Sequence, residues 1–233
     1  MATPPRSSRI LAVVARLLQA FLRRYARGEA GAAAPFLVGA RLLDLGAGEG
    51  YVAVALRDQA GLWVCSVDVG PFRKADGPYV VYDGARLPFC AGPFDTTLIL
   101  LTLHHCARPE AVLDEALRVT RRRLIVMESV YRTGLERFWL ELLDGRLNRY
   151  RHDGRMDAPL AFRRPEEWGR MFESRGLRVV ETRWLGSWWE RLVHHPLLFV
   201  LDKEWTSDFL GERHGSRRHL GTTGWRVKPQ CAR

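Results

Sequence analysis

Lysine is nearly missing from this 233-residue chain: of its 36 lysines and arginines, only Lys74, Lys203 and Lys228 are lysines. Cysteine is scarce as well, with Cys65, Cys90, Cys106 and Cys231 and no C-x-x-C pair, which excludes a zinc knuckle or a thioredoxin-type site. Cys65 lies inside an apolar run and reads as a small core residue. Such sparse usage fits a reducing, cytoplasmic compartment. No uninterrupted apolar run is long enough to span a bilayer. The longest, residues 10–22, is broken by Arg16 and Gln19 and lacks the small-residue cleavage pattern of a secretory signal. His104-His105 and His194-His195, even with Cys106, match no zinc-ligand spacing, so no metal is expected. The net charge of +10 is compatible with nucleic acid, anionic lipid or an acidic substrate, and also with codon bias towards arginine. Zinc-finger, KH and RNP patterns are all missing, so no nucleic-acid partner is expected.

What is present is 47% hydrophobic and 27% charged, the composition of an ordinary globular chain of one α/β domain. Residues 9–27 read as an amphipathic helix. Leu11, Val14, Leu18, Phe21, Leu22 and Tyr25 form its apolar side, with Arg9, Arg16, Arg23 and Arg27 opposite and a Gly/Ala-rich stop over 28–34. Strands and helices then alternate. Short apolar strands are expected over 41–45, 62–67, 79–82, 96–103 and 123–127, and helices over 52–59 and 109–120, with Pro109 suited to a first helical turn. Continuously apolar strands in a βαβ order imply a parallel sheet buried on both faces. Further on, Leu135, Phe138, Trp139, Leu142 and Leu143 fit one helix face. A helix over 165–175 stops at Gly176, and two strands follow over 177–184 and 196–203. The expected organisation is an N-terminal helix or cap over 1–34, a main domain over 35–204 with an insert at about 131–164, and a tail over 205–233.

The chemistry concentrates in Leu42-Leu43-Asp44-Leu45-Gly46-Ala47-Gly48-Glu49-Gly50, which follows a strand and opens a helix. Glycines there let a ligand approach the backbone, and free N–H groups at the helix start can hold a polar group. A glycine loop alone is weak evidence, because dinucleotide-binding domains place G-x-G-x-x-G at the same point. Here the spacing is G-x-G-x-G, with Tyr51 next. Asp44 stands at the strand end, where a carboxylate suits an ammonium better than a pyrophosphate. Asp68 ends the second strand and can accept from both hydroxyls of a ribose. Asp83 ends the third, ahead of Gly84-Ala85-Arg86-Leu87-Pro88-Phe89, and can accept from an adenine amino group. Taken singly, Asp44 is also readable as a helix cap and Asp68 as a turn residue, but both acids at the strand ends where a nucleoside would lie argue against coincidence.

DLGAGEG, the VD at the second strand end, D-x-x-x-LPF after the third strand and FDTTLILLTLHH across the fourth resemble the type 11 family of class I S-adenosylmethionine-dependent methyltransferases. The resemblance covers about residues 40–130 and extends loosely through FRRPEEWGRMFESRGLRVVE. It implies a Rossmann-like, doubly wound sheet of seven strands, mostly parallel with the last antiparallel. It implies S-adenosyl-L-methionine as cofactor, with Asp44, Gly46, Ala47 and Gly48 along its methionine part and Asp68 with Val69 at the ribose. Asp83 and Gly84 would lie at the adenine, and Leu101 would contact it through its backbone.

Methyl transfer is an in-line displacement at a sulfonium methyl, so alignment and exclusion of water come first. A hydroxyl acceptor also needs a base. His104 and His105, after the fourth strand, are the candidates, against a scaffold reading in which they merely cap the strand end and pack under the next helix. Glu128 has a similar position. Tyr131, Arg151, His152, Asp153, Arg155 and Asp157 lie in the insert that in this family shapes the acceptor pocket. Trp139, Trp184, Trp188 and Trp189 are expected mainly as core. The expected reaction is methyl transfer to a small-molecule acceptor, lipid-like or aromatic. The rivals are a non-catalytic S-adenosylmethionine-binding protein and a nicotinamide-dependent oxidoreductase, the latter disfavoured by Asp44 and Tyr51. An RNA methyltransferase should carry an N/D-P-P-Y-like motif, and the fourth strand ends in Leu-His-His instead. Residues 9–27 are expected to cap the cofactor pocket; the other fates are peripheral contact with an anionic membrane and an organelle transit peptide.

Overall fold

The computed structural model describes residues 6–151, 160–186 and 195–203, with side chains from residue 16 onward and not over 145–151. Helix α1 (Arg6–Ala33) leads through a 3-10 turn (Ala34–Phe36) into β1 (Arg41–Leu45), α2 (Tyr51–Ala60), β2 (Trp63–Asp68) and β3 (Tyr79–Val81). Strand β4 (Phe94–Leu100), a 3-10 turn (Leu103–His105), α3 (Pro109–Val119) and β5 (Thr120–Ser129) follow. The chain then forms α4 (Gly134–Arg151), α5 (Pro165–Glu173), β6 (Leu177–Trp184) and β7 (Pro196–Lys203). The seven strands lie in the order β3-β2-β1-β4-β5-β7-β6. The pairs among β1 to β5 are parallel, and β7 runs antiparallel to both β5 and β6. The doubly wound sheet with its antiparallel last strand is therefore as expected.

Apolar residues run without a break along the central strands because both faces of the sheet are covered. In β5, Leu124 and Val126 enter one core with α3 and α5, while Ile125 and Met127 enter the other with α1 and α2. Trp168 and Phe172 of α5 anchor the first core, fully buried and stacked at 6.0 Å. The far side of the sheet is tied by Arg123 of β5, which donates to both carboxylate oxygens of Asp202 in β7 at 2.7 and 3.0 Å.

Three local expectations are corrected. Helix α1 continues through Gly28 and Gly31 to Ala33. Its buried seam there is Ala26, Ala30 and Ala33, with Leu22 half-buried, because small side chains let α1 lie close against α2. Leu17, Phe21 and Tyr25 face outward, and so do Arg16, Arg23, Arg24 and Arg27. In α4, Leu135, Phe138, Trp139 and Leu143 are exposed while Leu140 is buried, so the supposed core face, Trp139 included, looks away from the core. Strand β4 stops at Leu100 rather than 103, because Leu101 takes a left-handed conformation (φ 52°) and turns the chain out of the sheet. His152, Asp153, Arg155, Asp157, Trp188, Trp189, His194 and the 205–233 tail lie outside the described residues, as does the side chain of Arg151.

Candidate active site

The strand order reverses between β1 and β4, and the carboxyl ends of these strands define the crevice where open α/β sheets bind ligands. Asp44 reaches it from β1. Its side chain is buried, and Oδ2 has no hydrogen-bond partner among the described residues. Burial, reinforced by the charge of Asp68, pushes its pKa up to about 7. A buried carboxylate with an unanswered oxygen is a costly arrangement unless a cation arrives to pair with it.

The glycine loop wraps around this carboxylate. Gly46 has φ 78°, and a Cβ there would collide with the side chain of Thr102, so glycine is required twice over. Gly48 has φ 52°, and a Cβ would point into open space, which leaves a smooth backbone surface facing the crevice. Several N–H groups of the loop ahead of α2 are already engaged. Gly46 and Ala47 donate to the Val67 carbonyl at 2.8 and 3.1 Å, Gly50 donates to Ala47, and Gly48 donates to Asp68 Oδ2 at 2.7 Å. The loop is thus fastened to β2, and its polarity towards a ligand comes from the acid Asp44, which suits an ammonium group.

Asp68 ends β2, with Oδ1 accepting from the Val69 N–H at 2.7 Å. Val69 itself is exposed. Tyr79 of β3 donates to the carbonyls of Gly48 and Gly70, bracing the loop from below. Asp83 lies two residues beyond β3 rather than at its end. Its Oδ1 accepts from the N–H groups of Ala85 and Arg86 at 2.8 and 2.9 Å, and these bonds hold its pKa below the usual range. Gly84 has φ 76°, and a Cβ there would lie 3.3 Å from the Val69 side chain. Leu101 donates its N–H to Met127, and its left-handed turn aims the following residues over the sheet edge.

On the other side of the crevice His104 is fixed by Glu128. This buried carboxylate ends β5, and its Oε1 accepts from the N–H groups of Thr102 and Leu103 at 3.1 and 2.7 Å. Its Oε2 lies 2.5 Å from His104 Nδ1. His104 Nε2 lies 3.5 Å from Asp144 Oδ2 of α4, and His105 Nε2 lies 3.4 Å from the same oxygen. Burial alone would lower the His104 pKa, but Glu128 and Asp144 raise it to about 9. A ring held between two carboxylates and already protonated at neutral pH is badly placed to take a proton from a substrate. Phe162 stacks on it at 4.8 Å, and the Ala161 N–H donates to its carbonyl, so the far end of the insert docks here too. Asp144 was not singled out from the sequence. It is 39 positions beyond His105, on a helix whose sequence shows only an apolar face, and only the fold joins them. Cys106 is also unsuited to nucleophilic work, since burial and then Glu128 push its thiol up to about 12. Tyr131 lies under the guanidinium groups of Arg137 and Arg164 at 5.6 and 5.9 Å, and Trp184 under Arg132 at 4.7 Å.

The comparisons with known proteins agree with this fold. Residues 43–126 match the model of the methyltransferase domain family. A demethylmenaquinone methyltransferase of Beutenbergia cavernae is 40% identical over 99 residues, covering 39% of this chain and 41% of that protein. The chain thus spans about two fifths of the length of the curated relatives it matches. Among solved structures, the methyltransferase in complex with the Haloferax volcanii Trm112 activator superposes with a TM-score of 0.64 at 18% identity, over 79% of this chain and 91% of that one. An S-adenosylmethionine-dependent methyltransferase of Thermotoga maritima gives 0.59 at 21% identity, over 82% and 96%. Over residues 43–126 the chain is thus similar to the methyltransferase domain family, in line with the resemblance of its DLGAGEG and LPF motifs to class I S-adenosylmethionine-dependent methyltransferases. S-adenosylmethionine is the cofactor of that class.

Proposed function

We propose that this protein transfers the methyl group of S-adenosylmethionine to a small, apolar acceptor of lipid-like or aromatic character. The observation that carries the reading is Asp44: a buried carboxylate with an unpartnered oxygen, beside the open, Cβ-free turn at Gly48. A cofactor bearing an ammonium answers that charge, whereas a dinucleotide would bring phosphates against it. In this reading Asp44 pairs with the ammonium and Gly46, Ala47 and Gly48 line the methionine part. Asp68 and Val69 meet the ribose, Asp83 and Gly84 the adenine, and Leu101 the cofactor through its backbone.

The sulfonium is an activated leaving group, so the protein's main contribution is to align donor and acceptor and to keep water out. His104 acts here as a positioning residue. Through Glu128 it locks the turn after β4, and through Asp144 it holds α4 beside that turn. His105 shares the contact to Asp144. The preference for an apolar acceptor rests on the exposed Phe138 and Trp139, 5.6 Å apart on α4, and on the name of the Beutenbergia relative. Outward-facing Leu17, Phe21 and Tyr25, among exposed arginines, favour peripheral contact of α1 with an anionic membrane, where such an acceptor would dissolve. No described helix is long and apolar enough to cross a membrane.

The test is a labelled-methyl assay. The protein is incubated with S-[methyl-³H]adenosylmethionine and either demethylmenaquinone or a bacterial lipid extract, and products are identified by mass spectrometry. Label in an organic-soluble product, strongly reduced at limiting cofactor with Asp44→Asn, is the expected result. Cofactor binding without any transfer to the apolar fraction would refute the acceptor class, and failure to bind S-adenosylmethionine would refute the whole reading.

A further inference from the structure

Three potential ligand atoms converge where the turn after β4 meets α4: His104 Nε2, His105 Nε2 and Asp144 Oδ2, all within 4.8 Å of one another. Each histidine nitrogen is 3.4–3.5 Å from the carboxylate oxygen. Ligands about 2.0–2.1 Å from a tetrahedral zinc ion are separated by about 3.4 Å along each edge of the tetrahedron. The two His–Asp edges already have that length, and the His–His edge is no longer than 4.8 Å. The two imidazoles come from adjacent residues whose rings tilt 48° to each other at 4.0 Å, which aims both ε nitrogens at the same carboxylate.

The surroundings of His104 are those of a metal-binding histidine. A ligating imidazole commonly gives its other N–H to a carboxylate, which fixes the tautomer and makes the ligating nitrogen more basic. Glu128 does this from Oε2 at 2.5 Å, and it is itself held by two backbone N–H groups. The far face of the ring is closed by Phe162. His104 and Glu128 are buried, while His105 and Asp144 are half-buried, which leaves a side from which an ion can enter.

We propose that His104, His105 and Asp144 bind a divalent cation of the zinc class, with Glu128 orienting His104 from behind. Two imidazoles and one carboxylate select a borderline ion over magnesium or calcium, which favour oxygen. The cation binds between His104 and Asp144, which now face each other at 3.5 Å, and it ties α4 to the turn after β4. Three protein ligands leave a fourth position exchangeable, as in catalytic rather than structural zinc sites.

The experiment uses the full chain, stripped with chelator and titrated with Co²⁺, a visible-absorbing stand-in for Zn²⁺, and then with Zn²⁺ in competition. One equivalent of Co²⁺ should bind with the intense visible bands of a tetrahedral ion, and one equivalent of Zn²⁺ should bleach them. His105→Ala and Asp144→Asn should each lower the affinity at least a hundredfold. Glu128→Gln, which keeps all three ligands, should lower it about 10- to 100-fold. S-adenosylmethionine binding by calorimetry and far-UV circular dichroism show that each variant is folded, and neither readout depends on methyl transfer. The proposal is overturned if Co²⁺ binds the native chain no more tightly than it binds the Asp144→Asn protein, or if it shows only the weak bands of an octahedral, water-ligated ion. Either result would leave the cluster as an ion-paired knot.

Discussion

Replacing Asp44 by Asn should move two measurable quantities in opposite directions. In the empty protein the carboxyl is raised from 3.8 to about 7, first by burial and then by the charge of Asp68. The unfolded chain releases this proton near 3.8, whereas the folded chain holds it to about 7. Stability is therefore lost as pH rises through that window, and the whole penalty is present above about 7. The interval is worth about 4 kcal/mol at most. Asn has the same shape and no charge, so the empty variant should be more stable than the native protein at pH 8 and equal to it near pH 4. For a chain of this size the ceiling on the gain is roughly 8–16 °C in melting temperature. Cofactor binding should suffer at the same time. A charge-assisted bond of about 1.5–3 kcal/mol disappears, so S-adenosylmethionine affinity at pH 8 should fall roughly 10- to 150-fold. The native protein should itself bind about tenfold more weakly at pH 6 than at pH 8, because the carboxyl must first lose its proton. The variant should show no such slope. Differential scanning fluorimetry across pH, with calorimetry for the cofactor, reads both quantities. An Asn variant that melts with the native protein at pH 8, or binds S-adenosylmethionine as tightly, would refute a charge-pairing role for Asp44.

Gly46→Ala and Gly48→Ala should differ in kind. The first drives a methyl group into Thr102 and should cost several kcal/mol in urea denaturation, whereas the second meets nothing and should cost about 1–2 kcal/mol from its left-handed backbone while still weakening the cofactor in calorimetry. Trp168→Ala should destabilise the fold by about 3–5 kcal/mol, since the ring is fully buried between α5 and the sheet; a loss under 1 kcal/mol in the same titration would mean that this core is loosely packed. In liposome sedimentation, salt-sensitive pelleting with anionic vesicles should be lost in a Phe21→Glu, Tyr25→Glu double variant that still binds cofactor, and equal pelleting of both proteins would remove α1 from any membrane contact.

Much of the molecule is legible along the chain because its signals are local. Apolar runs such as Leu98–Leu100 and Leu124–Met127 state that both sheet faces are covered, and the β-α alternation fixes parallel strands. Glycine spacing and the acids at strand ends mark the ligand crevice, since backbone freedom and charge at Gly46, Gly48, Asp44 and Asp68 are properties of single residues. Long-range proximity belongs to the tertiary structure. Helical periodicity shows that α1 and α4 have apolar sides, but not which side is buried; close approach of α1 to α2 chose the alanines and left Phe21 and Tyr25 outside. The loop N–H groups look free in sequence and are consumed by the Val67 carbonyl and by Asp68, because β2 lies alongside β1. His104 reads as a base until Glu128 and Asp144, 24 and 40 positions away, close on its two nitrogens. Hydrogen bonds, burial and the pKa shifts they cause depend on which residues the fold brings within a few ångströms, and no pattern in the sequence encodes that distance.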